Sequence, residues 1–256
     1  MKQVVNVLWT GGLDSTCRIC ELSLLDIVVQ PYYLNDPQRD SVKYELKAIK
    51  TITDMIRKKP NTKCELRDVI VHNVNDLAPD PIIRTAWKVL HEKYKIGTQY
   101  DWLARFTKQN NLVVEMSLEH SPRGKATRTL TGEGELMIDK EMGEQIADFM
   151  INPAKSSPEL ITIYEHLRFP STLWEMTKTD EVEEMKSNGM EDVMKKTWFC
   201  YTPVFGMPCG HCNPCRDALN EDMAWRVPKV GRVLGFCQHY TFHAARHIVR
   251  RIQKKY

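Results

Sequence analysis

The stretch VLWTGGLDST at residues 7–16 puts two glycines directly between an apolar run and a helix-forming run. We predict a buried strand over residues 4–9 and a helix over residues 14–25. Glycine lets the backbone approach a ligand closely, and the free N–H groups at a helix start favour an anion. In the alternative interpretation, Asp14 caps the helix and the glycines only make a tight turn. The feature therefore predicts either a phosphate site or a simple strand-to-helix turn.

Apolar runs alternate with amphipathic segments over the first half of the chain. Further strands are predicted at 27–34, 69–72 and 112–116, and further helices at 40–57, 82–94 and 99–108. This alternation is typical of an α/β fold with a doubly wound parallel sheet and helices on both faces. Ligands bind such sheets at the carboxyl ends of the strands, where Gly11 and Gly12 are expected to lie.

The stretch SPRGKATRTLTGEGE at residues 121–135 is polar and contains three glycines, so we predict a loop. Arg123, Lys125 and Arg128 would make it basic. Such a loop acts either as a lid that gathers an anionic ligand or as a solvated connection.

The chain has 256 residues, of which 42% are hydrophobic, and this suffices for one sizeable core. Its formal net charge of +3 permits an anionic ligand without requiring nucleic acid. No signal peptide or membrane-spanning apolar stretch is recognisable, so we expect a cytoplasmic protein with no membrane partner. The end of the chain, FHAARHIVRRIQKKY, predicts a basic amphipathic helix. That helix leaves nucleic-acid contact open beside an ordinary solvated face.

Four cysteines crowd into sixteen positions with the spacing C-x8-C-x2-C-x2-C: Cys200, Cys209, Cys212 and Cys215. Four thiolates at this spacing are typical of tetrahedral zinc in a structural role, because no coordination position stays open. An iron–sulfur cluster is the competing interpretation, since it uses the same ligands. His211 lies inside the motif and is an alternative ligand.

Cys17 and Cys20 form a second C-x2-C pair, inside the first predicted helix. Residues three apart lie on one helix face, so the pair is expected to be buried as small apolar side chains. A redox pair near a nucleotide is the alternative.

The glycine turn lacks the lysine of a Walker A loop and the spacing of a GxGxxG turn. The string TGGLDS instead resembles the SGGxDS signature of the PP-loop, or N-type ATP pyrophosphatase, family. This resemblance implies that ATP binds on the loop with Mg²⁺ and is cleaved between its α- and β-phosphates, adenylating a substrate oxygen. The nucleotide-binding positions it implies are Leu8, Trp9, Thr10, Gly11, Gly12, Leu13, Asp14, Ser15 and Thr16.

The glycine turn and the cysteine motif together resemble the 7-cyano-7-deazaguanine synthase (QueC) family. TWFCYTP and CGHCNPCRD are similar to that family's zinc segment, YYLNDPQRDSVKYELKAI to its segment after the second strand, and FPSTLWEMTKTDEVEEM to its lysine segment. The resemblance implies a homodimeric ligase that converts 7-carboxy-7-deazaguanine and ammonia into a nitrile with ATP, Mg²⁺ and Zn²⁺. It implies a PP-loop domain over 1–176 and a helical zinc-binding region over 177–256. The catalytic residues would be Asp14, Ser15, Lys178 and Arg39.

The middle of the chain departs from that family, since KIGTQYDWLARFTKQ and MSLEHSPRGKATRTL replace the family's substrate-binding strings. Three alternatives follow. A QueC-like enzyme of an antiphage system would join the activated base to a protein amine. A PP-loop enzyme that modifies tRNA would carry a catalytic cysteine pair. A nucleic-acid-binding module without enzymatic activity would use the zinc motif and the basic helix.

Overall fold

A mostly parallel β-sheet lies at the centre of the molecule, in a computed structural model that describes residues 2–118, 121, 124–139, 146–221, 223–233 and 235–237. The strands are β1 (Val4–Leu8), β2 (Val28–Asn35), β3 (Glu65–Leu66), β4 (Ile70–Asn73), β5 (Val114–Glu115), β6 (Leu136–Ile138), β7 (Asp148–Ile151) and β8 (Leu167–Pro170). The helices are α1 (Leu13–Ser23), α2 (Val42–Arg57), α3 (Pro81–Tyr94), α4 (Gln99–Asn110), α5 (Lys125–Glu133), α6 (Pro158–Tyr164), α7 (Ser171–Glu175), α8 (Lys178–Ser187), α9 (Glu191–Met194) and α10 (Asn213–Asn220).

The strand order is β3-β2-β1-β5-β8-β7-β6, and β4 pairs with β2 beyond β3. Strand β1 lies between β2 and β5 and runs parallel to both, with Val7 opposite Pro31 on one side and Glu115 on the other. The chain therefore leaves β1 towards one edge of the sheet and later returns to its opposite side. This reversal makes the carboxyl end of β1 the point where an α/β sheet opens a crevice for a ligand.

Two apolar cores lie on the two faces of the sheet. Val5 and Val7 of β1 belong to the core that α1 and α2 cover, whereas Leu8 belongs to the core of α3, α4 and α6. Side chains of a strand alternate between faces, so this division follows from the period of β1. Met185 of α8 and Cys215 of α10 also lie in the α1 core. The helices beyond residue 176 therefore share a core with the start of the chain.

The predicted α/β class with a mostly parallel sheet is confirmed, and the predicted strands and helices of residues 4–116 form within a few residues of the predicted bounds. The sheet is not wholly parallel, however, because β7 runs antiparallel to both β6 and β8.

The predicted loop over residues 121–135 is wrong for most of its length, because residues 125–133 form α5. Ala126, Thr127 and Leu130 are buried in this helix, and their i, i+1, i+4 spacing gives it an apolar face. The threonines concealed that face in the sequence because threonine is a weak helix former. Lys125 and Arg128 are exposed on the helix, and Arg123 lies outside the described residues.

The predicted basic helix near the C-terminus, with Arg246, Arg250, Arg251, Lys254 and Lys255, also lies outside the described residues. Within the described ranges, the helices are all too short or too polar to cross a membrane. The domain boundary at residue 176 stays a prediction.

Candidate functional site

The glycine turn after β1 adopts a conformation that requires glycine at its first position. Gly11 has φ of 70°, in the left-handed region, and its carbonyl accepts a hydrogen bond from the Trp198 N–H at 2.8 Å. A Cβ at Gly11 would lie 3.1 Å from the Glu45 carbonyl oxygen and 3.2 Å from Ile49 Cγ1 of α2. The turn is therefore held between α2 on one side and the segment before Cys200 on the other.

Replacing Gly11 by alanine is expected to destabilise the protein by about 1–2 kcal/mol through the left-handed conformation and by roughly 1 kcal/mol or more through the contact with α2. Gly189→Ala is the matched control, since Gly189 also has φ of 70° but nothing lies within 4 Å of its Cβ position. Urea unfolding of both variants separates the two costs, and an equal loss in both would exclude the packing contribution.

The start of α1 has no side-chain cap. Gly12 is the N-cap residue, and the first helical hydrogen bond runs from the Thr16 N–H to the Gly12 carbonyl at 3.1 Å. The interpretation of Asp14 as the cap is wrong, because Asp14 lies within the first turn. The N–H groups of the first turn thus lack a capping side chain, and this arrangement at a positive helix end favours an anion.

Two hydroxyl groups lie at the turn and a third is buried beneath it. Thr10 Oγ1 lies 3.2 Å from Ser15 Oγ and 3.4 Å from the Gly12 nitrogen. Thr16 Oγ1 is fully buried and accepts a hydrogen bond from Trp9 Nε1 at 3.0 Å. The side chain of Thr16 is therefore part of the core, not of the open surface of the turn. Five side chains of the predicted nucleotide-binding stretch are buried, those of Leu8, Trp9, Leu13, Ser15 and Thr16.

Lys178 lies beside the glycine turn although it is far away in sequence. It is the first residue of α8, and this helix begins with a capping box between Thr177 and Asp180. The Lys178 ammonium forms an ion pair with Asp14 and lies 3.3 Å from Glu181 Oε1. The structure therefore brings together the predicted residues Asp14, Ser15 and Lys178.

Glu181 is a member of this cluster that sequence reasoning missed. Its side chain is fully buried, and burial raises its pKa to about 8, with the Asp14 carboxylate adding to the rise and Lys178 opposing it. Its Oε2 has no hydrogen-bond partner among the described residues. A proton on Glu181 at neutral pH leaves the cluster less negative than its composition indicates. The helical spacing from Lys178 to Glu181 was the available signal.

Arg39 lies on the α2 side of the glycine turn. Its Nη2 donates to Glu45 Oε1 at 2.5 Å, and the same carboxylate accepts from Tyr33 Oη at 2.6 Å. Its guanidinium also lies 5.7 Å from the centre of the Tyr201 ring. Arg39 thus joins α2 to residues 200–215, which we call the cysteine segment. Asp14 and Lys178 form a separate ion pair.

The four predicted metal ligands meet at one point. The Sγ atoms of Cys200, Cys209, Cys212 and Cys215 all lie within 4.8 Å of one another, and two of the pairs are 3.9 Å apart. Sulfurs around a tetrahedral zinc are about 3.8 Å apart, given Zn–S bonds of about 2.3 Å. This cluster could hold a metal ion such as zinc. The ring of His211 instead lies 3.3 Å from the Cys209 carbonyl.

Backbone groups also orient two of the thiols. The Cys209 N–H donates to Cys200 Sγ at 3.2 Å, and the Cys212 N–H donates to Cys209 Sγ at 3.3 Å. Such bonds favour thiolates, which are the form that binds a metal.

Cys17 and Cys20 are both 1% exposed, in agreement with the interpretation as core side chains. Burial raises the pKa of each thiol far above its ordinary value. A reactive cysteine requires a low pKa and solvent access, so this environment does not support a redox pair.

Two cavities flank the carboxyl end of the sheet. The larger, of about 650 Å³, lies between α2, residues 194–199 and the cysteine segment. The smaller, of about 370 Å³, lies where α4 and α5 begin, next to Leu118 beyond β5. The smaller cavity is lined by Gly97, Gln99 and Lys125, all of which lie in or next to the stretches that depart from the resembled family.

Comparison with known proteins identifies no family: no protein-family model matches the chain, and a search of curated proteins returns no match. The fold itself, an α/β architecture with a mostly parallel sheet, is compatible with a Rossmann-like fold.

Proposed function

We propose that the protein is an ATP-dependent ligase that activates a carboxylic acid by adenylation and then forms a carbon–nitrogen bond. The observation that carries this proposal is the uncapped start of α1, which follows a glycine turn at the carboxyl end of β1 and lies beside Lys178. Helix N-termini at such positions bind phosphates. The similarity of TGGLDS to the PP-loop signature supports ATP as the source of those phosphates.

The chemistry is a substitution at the α-phosphorus of ATP. A carboxylate oxygen of the substrate attacks that phosphorus, and the bond to the oxygen bridging to the β-phosphate breaks. Its electron pair stays with the departing pyrophosphate, and no proton needs to move. Negative charge therefore grows on pyrophosphate, and the first-turn N–H groups and the Lys178 ammonium are suited to stabilise it.

Mg²⁺ would supply further neutralisation of the phosphates. A carboxylate and phosphate oxygens are ligands that Mg²⁺ prefers, and the Asp14 side chain is 35% exposed at the turn. We propose Asp14 as the residue that holds the ion. The Asp14–Lys178 pair would then open on binding, which frees the ammonium for the phosphates.

We propose zinc as the metal of the four-cysteine cluster, in a structural role. The ligand set is four thiols, and three of them are fully buried in the core shared with α1. Four thiolates complete a tetrahedral site and leave no position for a substrate.

The proposed acid is a 7-deazaguanine carboxylate such as 7-carboxy-7-deazaguanine, with ammonia as the nitrogen donor and an amide or nitrile as product. Ammonia would attack the acyl carbon, displace AMP and lose a proton to give the amide. To reach the nitrile, the amide oxygen would be adenylated by a second ATP and leave with AMP, as the nitrogen loses its remaining protons. The similarity of the cysteine segment and of the Lys178 segment to the 7-cyano-7-deazaguanine synthase family supports this choice. The cavity at the starts of α4 and α5 would receive the acid, because the N-termini of these two helices and the Lys125 side chain line it, and a positive helix end favours an anion.

The test follows pyrophosphate, AMP and the base by mass spectrometry in a mixture of protein, ATP, Mg²⁺ and 7-carboxy-7-deazaguanine, with and without ammonium. We expect ammonium-dependent nitrile, abolished in Asp14→Ala and reduced roughly 10²-fold in Lys178→Ala. Lys186→Ala is the matched control, as an exposed lysine on the same helix. Pyrophosphate release without nitrile would favour the alternative acceptor, a protein amine. No turnover of this acid would exclude it as the substrate.

A further inference from the structure

The larger cavity has an unusual balance of charge. Its lining contains four cationic side chains and no carboxylate among the described residues. Tyr44 and Trp198 form one wall as a stacked pair, with ring centres 4.7 Å apart and planes 13° from parallel. A cavity with several cations and no acid of its own favours an anionic ligand. The cations that line it are Lys47, Lys195, Lys196 and Arg226.

Arg226 differs from the three lysines in how it is held. Its Nη2 donates to Thr197 Oγ1 at 2.9 Å, and its guanidinium lies 4.3 Å from the centre of the Phe199 ring. These contacts fix the guanidinium against residues 197–199, where Trp198 donates its N–H to the Gly11 carbonyl. Arg226 is therefore anchored to the same short segment that packs against the glycine turn.

Among the described residues, no carboxylate lies within ion-pair distance of the Arg226 guanidinium. Lys178, by contrast, pairs with both Asp14 and Glu181. Burial lowers the pKa of Arg226 to about 10, while the more distant carboxylates of Asp14 and Glu181 oppose the fall. Taking a guanidinium out of water without an anionic partner is unfavourable. The same two carboxylates act on Lys178, so Arg226 and Lys178 belong to one electrostatic cluster.

We propose that Arg226 binds the phosphate chain of the activating nucleotide from the side of the larger cavity. This inference rests on the proposed function and adds a residue to it. A guanidinium presents several donors in a fixed plane that matches phosphate oxygens. Arg226 would stabilise the negative charge that develops on the pyrophosphate as the bond to the α-phosphorus breaks. Its contribution to binding affinity should therefore be larger for ligands with more phosphates.

The test measures the dissociation constants of ATP, AMP and inorganic pyrophosphate by calorimetry, for the wild type and for Arg226→Ala, Arg226→Lys and Lys229→Ala. We expect Arg226→Ala to weaken ATP and pyrophosphate roughly tenfold or more and AMP much less. Arg226→Lys should recover part of the loss because it keeps the charge. Lys229→Ala removes an exposed lysine outside the cavity lining, so it should change each constant less than about threefold.

The outcomes separate the inference from the function on which it rests. A wild type that binds neither ATP nor pyrophosphate would contradict the proposed function. Wild-type binding that Arg226→Ala leaves unchanged would overturn this inference alone. Equal losses in Arg226→Ala and Arg226→Lys, with a lowered thermal midpoint in both, would assign Arg226 to holding residues 197–199 in place and would also overturn it. A single-stranded oligonucleotide serves as a further probe: if Arg226→Ala weakened its binding and left ATP unaffected, the cavity would be a nucleic-acid site instead.

Discussion

Replacing Cys209 by serine is expected to abolish stoichiometric metal binding and to destabilise the protein by more than the roughly 2–5 kcal/mol of a large-to-small core substitution. Structural zinc in small thiolate sites contributes about 10–16 kcal/mol of binding free energy, which becomes folding free energy. Cys209 is fully buried, and its Sγ accepts hydrogen bonds from the Cys212 N–H and from Thr202 Oγ1. A serine there leaves three thiols around an incomplete site.

The loss is expected to reach the glycine turn as well. Cys200 and Cys215 lie in the same core as α1, and Trp198, two residues before Cys200, holds the Gly11 carbonyl. Loosening the cysteine segment should therefore weaken nucleotide binding together with stability. Metal removal by a chelator is expected to have the same two effects, and both should reverse when zinc returns.

The measurement combines metal content by mass spectrometry with thermal unfolding. Cys237→Ser is the matched control, since Cys237 is an exposed cysteine outside the cluster. We expect one zinc per chain in the wild type and in the control, and none in Cys209→Ser. Iron with a visible absorption band would identify an iron–sulfur cluster instead. A metal-free wild type with an unchanged thermal midpoint would contradict a structural role for any metal.

Local patterns predicted much of the α1 half of the molecule. The glycines, the apolar run before them and the helical run after them are contiguous, so the strand, the turn and α1 were readable from ten residues. The cysteine cluster was readable because a metal site of this kind has short, fixed spacings. Lys178 came from a resemblance, and the structure brings it to Asp14.

The rest of the fold and of the candidate site depends on contacts between segments that are distant in sequence, and hydrophobic periodicity does not encode such contacts. Strands β6 and β7 are short, and β7 joins the sheet through its pairing with β8. Arg226 donates a hydrogen bond to Thr197, and no spacing rule in the sequence connects these two distant positions. Helix α5 was missed because burial of three small or apolar side chains outweighs its weak helix propensity.

A buried charge cluster that no sequence pattern predicted lies beside α1. Arg18 of α1 donates from Nε and Nη2 to both carboxylate oxygens of Glu115, at 2.7 and 3.0 Å. It also donates to Asp148 at 3.2 Å and to Glu21 at 3.0 Å. Arg18, Glu115 and Asp148 are at most 5% exposed. One guanidinium therefore ties α1 to β5 and β7.

Replacing Arg18 by methionine is expected to destabilise the protein by about 3–5 kcal/mol, because it leaves buried carboxylates without their cation. Methionine keeps much of the volume, so the loss reports charge more than a cavity. Arg67→Met is the matched control, since Arg67 pairs with Glu65 at the surface and such pairs contribute little. Urea unfolding at neutral pH measures the free energy of unfolding of both variants. Equally small losses in both would mean that the Arg18 guanidinium is not needed to neutralise the buried carboxylates.

Asp148 gives this cluster a pH dependence whose sign can be worked out. Burial and the neighbouring Glu115 raise the pKa of Asp148 to about 8, against about 4 in an unfolded chain. Between these two values the folded state binds the extra proton, so stability should fall as pH rises from about 4 to about 8. Asp148→Asn carries no such proton. We expect it to match the wild type near pH 5 and to exceed it in stability near pH 9.

Glu181 titrates in the same direction, because burial raises its pKa to about 8 as well. The substitution Asp148→Asn should therefore flatten the profile without making it level, and a double variant with Glu181→Gln should flatten it further. Unfolding free energies at several pH values between 5 and 9 provide the comparison. If the stability of Asp148→Asn instead fell with pH in parallel with that of the wild type, Asp148 would be ionised in the folded protein over this whole pH range. Arg18 would then neutralise both the Glu115 and the Asp148 carboxylates, although burial disfavours the second charge.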